Sequence, residues 1–191
     1  MIITKSLSST QEWCVGSDAL GWDKYLFLNE TSASQSGSTY WQSTAPTNQV
    51  FSVGTAGPTN SSSGDLIAYC FAEKKGFSKF GSYSSNNNVD GNFIYTGFSP
   101  AFVYIKQTNA SGESSKMYDN KRLGYNVVAN WLEADDNQAE GTGSNQIDIL
   151  SNGFKLRATN TAINASGGTY IYMAFSDQSI VSSNGVPATA R

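Results

Sequence analysis

At 191 residues the chain suits one domain or two small ones and is long enough to bury a substantial core. Charged residues are only 14% against about 25% in an average soluble domain, and aromatics reach 13%, a balance that excludes disorder and disfavours helices. A net charge of -3 without a long basic run argues against nucleic acid as a partner, and no stretch approaches the roughly 20 apolar residues of a membrane span.

Residues 1–5 are β-branched and read as a buried strand; they lack the basic and apolar regions of a signal peptide. Strands are predicted at 13–15 and 24–28, followed by a Ser/Thr/Gly-rich loop over 29–39. Trp41 and residues 50–53 mark further strands around a turn at 45–48. A polar loop at 54–64 leads into the apolar run 66–72, expected as a central strand with Cys70 a buried free thiol. Whether Cys70 bonds to Cys14, the other cysteine, is open at this level. Alternating aromatic and polar residues predict a half-buried strand at 77–83, a turn follows at 86–91, and another strand at 92–98. Residues 101–106 resemble residues 1–5, a short helix is expected within 127–136, and the polar tail 179–191 is expected to hang loose or dock on a neighbour.

An internal repeat organises these elements. Asn60–Glu73 (NSSSGDLIAYCFAE) returns 104 residues later as Asn164–Asp177 (NASGGTYIYMAFSD), each copy running a polar turn into an apolar stretch that closes on a carboxylate. Phe51–Gly54 answers Phe154–Arg157, and Leu20-Gly21 answers Leu123-Gly124, at an offset of 103. Two copies are too few for a solenoid, which needs about three or more. The reading is an all-β, β-sandwich-like body of two pseudo-equivalent halves. Residues 1–73 form the first copy, 74–178 the second with leader strands, and 179–191 the tail. Because the first copy has no counterpart of 74–100, a partner chain or a preceding domain is expected to supply its missing strands.

The sequence has no histidine, which excludes Ser-His-Asp and Cys-His machinery and histidine metal sites. No phosphate-binding glycine loop or dinucleotide fingerprint is present, so no cofactor, metal site or catalytic residue is expected. Carboxylates are the surviving enzymatic option, with Glu133, Asp135, Asp136, Glu140 and Asp148 as candidates for glycan hydrolysis, although a solvated acidic loop is by far the simpler account of them. Calcium is disfavoured because the EF-hand pattern is missing. Among the aromatics, Phe27, Phe71, Phe93, Phe154 and Phe175 are expected in the core. Trp22 and Trp41 flank loops and are the candidate ligand-binding residues, where exposed rings beside Asn/Gln-rich loops suit glycan or protein contact.

Several strings, among them Tyr25–Asn29, Ile67–Glu73, Gly76–Tyr83, Tyr95–Phe98, Leu150–Arg157 and Asn164–Phe175, resemble a duplicated module of structural proteins of tailed, often marine, bacteriophages. In such proteins the module forms the C-terminal part of fibre-like or appendage proteins, behind concanavalin- or laminin-G-like domains. The resemblance covers nearly the whole chain, including its ending at Gly185–Arg191. It implies a non-enzymatic virion component of head, neck or tail, assembled in the host cytoplasm. The partners it implies are other virion proteins and further copies of the chain, with trimers common among fibres. A glycan-binding module that recognises the host surface through Trp22 and Trp41 is the alternative, and a carboxylate-based glycan depolymerase the third.

Overall fold

The computed structural model describes residues 1–177, so the expected tail at 179–191 lies outside the described residues. Its strands are β1 (Ile2–Ser6), β2 (Cys14–Gly16), β3 (Lys24–Phe27), β4 (Gln35–Ser36), β5 (Leu66–Cys70), β6 (Ser78–Ser84) and β7 (Phe93–Tyr95). They continue as β8 (Phe102–Gln107), β9 (Lys116–Asp119), β10 (Val128–Trp131), β11 (Gly141–Leu150), β12 (Gly153–Leu156) and β13 (Thr169–Phe175). Two single-turn helices interrupt them, α1 (Ser38–Trp41) and α2 (Thr161–Asn164). The fold is all-β and sandwich-like.

The strands form three sheets, with all pairings antiparallel: β4-β3-β2-β1-β5, β6-β13-β8-β9 and β10-β11-β12-β7. The second lies between the other two, and the period-2 alternation of β13 accounts for this. Tyr170, Tyr172 and Ala174 point to one face, where with Val103 and Ile105 they meet Ile94, Ile147, Phe154 and Leu156. Ile171 points to the other, against Ile3, Val15 and Leu26 of the first sheet. Both faces of β13 are therefore sealed, each fully buried side chain contributing about 1.5–3 kcal/mol. The outer face of the first sheet carries Ile2, Cys14, Trp22, Tyr25 and Trp41. Here the cover is not a sheet. It is α1 with the coil carrying Phe51 and Val53, fastened by Gly54 N to Tyr40 O and Ala56 N to Thr39 O, both 2.9 Å.

The pairing order repeats with the sequence. The order β5-β1-β2 in the first half matches β13-β8-β9 in the second, and where β3 follows β2 an isolated bridge from Met117 to Leu132, just past β10, follows β9. Register repeats as well: Lys5 lies opposite Ile67 and Lys106 opposite Ile171. The turns before β5 and β13 share one hydrogen-bond pattern. Asn60 Nδ2 donates to Gly54 O at 2.7 Å, and Asn164 Nδ2 to Ala158 O at 2.8 Å. Asn60 N and Asn164 N each donate four residues back, to Ala56 O and Asn160 O. Gly21 and Gly124 both take a left-handed conformation, φ 84° and 75°, which a side chain would strain, so the repeated Leu-Gly pair has a backbone cause. Asn60 and Asn164 are turn brackets.

Several expectations are corrected. Residues 128–131 form β10 and not a helix: their alternation pairs them with β11 around a bulge. Residues 50–53 form no strand, and Trp41 sits on α1. The run 66–72 is not central, because β5 lies at a sheet edge, and Cys70 is consequently exposed while Cys14 is buried; both are free. Phe93 is 44% exposed, since β7 is also an edge strand, whereas Phe154 is fully buried.

Candidate functional site

The two candidate tryptophans come together, but inside the molecule. Trp22 follows the Leu20-Gly21 turn and Trp41 closes α1, so both rings fall on the outer face of the first sheet, edge to face at 5.7 Å. Trp41 is fully buried and Trp22 retains 7% exposure, which corrects the expectation of exposed rings. Room for them comes from Gly16 on β2: a Cβ there would stand 2.6 Å from each ring. Trp22 Nε1 donates to Asp18 Oδ1 at 2.5 Å, while Trp41 Nε1 has no partner among the described residues.

Trp22 nevertheless forms one wall of an open cleft of about 650 Å³, within the ~300–1,000 Å³ typical of ligand sites. Phe71 and Phe80, whose centroids lie 6.1 Å apart, also line it. Polar groups line the same cleft: Asp18, the amides of Asn48 and Gln49, and Glu73, whose carboxylate accepts from Lys79 Nζ at 3.1 Å and Phe80 N at 3.2 Å. Aromatic walls with carboxylate and amide groups around them suit a neutral polyhydroxylated ligand, which offers apolar C–H faces and hydroxyls together. Trp41 backs the cleft without lining it. None of the four is recognisable as a site residue in the sequence: Asn48 reads as part of a turn, Phe71 as core and Phe80 as part of a half-buried strand, while Gln49 falls between two predicted elements. Only the meeting of the turn before β3, the 46–51 segment and the end of β5 makes them a site.

The candidate carboxylates are engaged elsewhere. Glu133 pairs with Lys116, whose ammonium also lies 4.9 Å from the Trp131 ring centroid, and Trp131 Nε1 donates to Glu133 at 3.0 Å. Burial opposes ionisation of Glu133, but these donors outweigh it and hold the carboxyl below its ordinary value. Asp135 is buried, 3.7 Å from Lys106, and accepts from Ser115 N at 3.1 Å. Burial lowers the Lys106 pKa, and Asp135 works against that shift. Glu140 pairs with Arg122, and Asp148 lies 3.4 Å from Arg157. Asp136 accepts from the backbone of Asn137 at 2.7 Å. None of the five lines the cleft at Trp22, and among the described residues no group of three His, Cys, Asp or Glu side chains could hold a metal. Four of these five carboxylates are thus held in ion pairs.

A family model described as a domain of unknown function, DUF7483, matches residues 1–179. The chain belongs to the DUF7483 family. The match spans every described strand of this DUF7483 domain, from β1 to β13. No curated protein and no solved structure matches it.

Proposed function

We propose that this DUF7483 protein is a structural component of a bacteriophage virion, an appendage or decoration protein of head, neck or tail. One observation carries the reading. The strings that resemble the phage module fall on the framework itself: on β3, β5, β6, β7, β12 and β13, and on the Asn164 turn bracket. The likeness therefore belongs to the load-carrying scaffold and not to one exchangeable surface loop. Immunogold electron microscopy of purified particles, with antibody against this chain, is the test. Label on the head supports decoration, and label at a tail or fibre tip supports host attachment. Unlabelled particles overturn the reading.

The cleft favours a second reading, a module that recognises host-surface glycan, and the two coincide if the appendage attaches to the host. Trp22 is too embedded to serve as the diagnostic substitution, because Trp22→Ala would also open the core. Asn48 and Gln49 are exposed and belong to the cleft. In the glycan reading, Asn48→Ala with Gln49→Ala abolishes cell binding while the unfolding midpoint stays put. Unchanged cell binding excludes this cleft as the receptor site.

A further inference from the structure

The two halves differ at one place that matters for assembly. In the second half, β13 pairs with β8 on one side and along its whole length with β6 on the other. In the first half, β5 pairs with β1 on one side, and among the described residues no strand pairs with the other. The hydrogen-bond parity identifies which groups are left. Met1 and Phe71 exchange bonds, and Leu7 N donates to Asp65 O at 2.8 Å, so the odd-numbered residues of β5 turn their peptide groups toward β1. Leu66, Ala68 and Cys70 then turn their N–H and C=O groups outward.

An edge of this kind is normally guarded by charge, proline or a bulge, because it invites another strand. β5 has none of these. From Leu66 to Ala72 the chain is LIAYCFA, without charge, proline or glycine, and pairs with β1 in unbroken register. It has the composition of an interior strand, as its counterpart β13 is. Exposed apolar side chains surround it: Tyr69 on the strand (43%), Leu7 at its start (66%) and Val50 across the cleft from its end (65%).

We propose that β5 is the dimer interface of this protein, pairing antiparallel with β5 of a second copy about a two-fold axis at Ala68. An isologous contact of this kind is self-complementary by symmetry. The register follows from the outward groups. Leu66 lies opposite Cys70 of the second copy, Ala68 opposite its own equivalent, and each pair exchanges two backbone bonds. Charge agrees with this register, since Asp65 falls opposite Phe71 and Glu73 opposite Ser63, so no carboxylate faces another. The first sheet then runs on from one copy into the next, the small, exposed Ala68 leaving its centre unobstructed. The inference stands on the fold alone and does not depend on a place in a virion.

The test is sedimentation velocity of the full chain under reducing conditions, from dilute to concentrated protein. The wild type shifts with concentration from the 20.5 kDa monomer to twice that mass. Ala68→Pro removes an N–H that β1 does not use, so it leaves the far-ultraviolet spectrum and unfolding midpoint unchanged while abolishing the dimer. Ala68→Lys sets two ammonium groups face to face and weakens association by about tenfold or more. An equimolar mixture of Ala68→Lys and Ala68→Glu chains recovers it. A wild type that stays monomeric at every concentration, or forms trimers, overturns the proposal. So does a dimer that persists undiminished in both Ala68→Pro and Ala68→Lys, or a Lys/Glu mixture that associates no better than Ala68→Lys alone.

Discussion

Replacing Asn164 by alanine tests whether the repeated asparagine is a structural bracket and separates the two halves quantitatively. The Asn164 side chain is fully buried and makes four hydrogen bonds. It donates to Ala158 O at 2.8 Å and Asn88 O at 3.0 Å, and accepts from Asn86 N at 3.1 Å and Asn87 N at 3.2 Å. It thus clamps the turn before β13 to the 86–88 turn that follows β6. Each bond contributes about 0.5–1.5 kcal/mol net, so Asn164→Ala costs about 4 kcal/mol. In a domain of this size each kcal/mol moves the melting temperature by about 2–4 °C, a fall of roughly 8–16 °C in all. Asn60 makes the equivalent bond to Gly54 O, but it is exposed and that side chain has no second partner among the described residues. Asn60→Ala therefore costs only about 1 kcal/mol. Urea unfolding of both variants beside the wild type measures the difference. If Asn164→Ala costs no more than Asn60→Ala, the clamp does not exist as described.

Gly16→Ala forces a methyl to within 2.6 Å of both Trp22 and Trp41 and is expected to lose about 1–3 kcal/mol by overpacking, read from the same urea titration. Trp41→Ala empties a fully buried site and should cost about 3–5 kcal/mol without altering ligand contacts, because Trp41 does not line the cleft. Asp119 is held below its ordinary 3.8: burial opposes this, but the N–H groups of Lys121 and Arg122 and the Arg122 guanidinium outweigh it. Glu133 is likewise held below its ordinary 4.5. Carboxyls depressed in the folded state stabilise it fully above those ordinary values, and the contribution is lost as pH falls through the lower folded ones. The urea midpoint should therefore hold above about pH 5 and fall below about pH 4, with a smaller fall in Asp119→Asn. Cys70 should react at once with a thiol reagent and Cys14 only on unfolding, because burial pushes its thiol well up and shields it; two equally fast thiols would contradict the fold.

The sequence by itself determined the material and the repeat. Low charge, abundant aromatics and Gly/Ser/Asn turns dictate antiparallel strands, because they supply residues for pleated surfaces and few for helices. The offset of 103 to 104 residues was visible because its residues have local work: Asn60 and Asn164 each bracket a turn within six residues, and Gly21 and Gly124 each meet a left-handed backbone. Burial was not decided locally. LIAYCFA and TYIYMAF look alike, yet β13 is interior and β5 an edge, because only β13 receives β6. Residues 127–136 looked helical until β11, a long strand low in apolar residues, offered an antiparallel partner to β10. Trp22 and Trp41 looked like surface rings beside loops, but Gly16 on another strand opened the space that takes them inside. Such outcomes depend on which distant segment arrives as neighbour. A side chain's exposure, and with it the cleft and the open edge, is a property of the packed layers and has no counterpart along the chain.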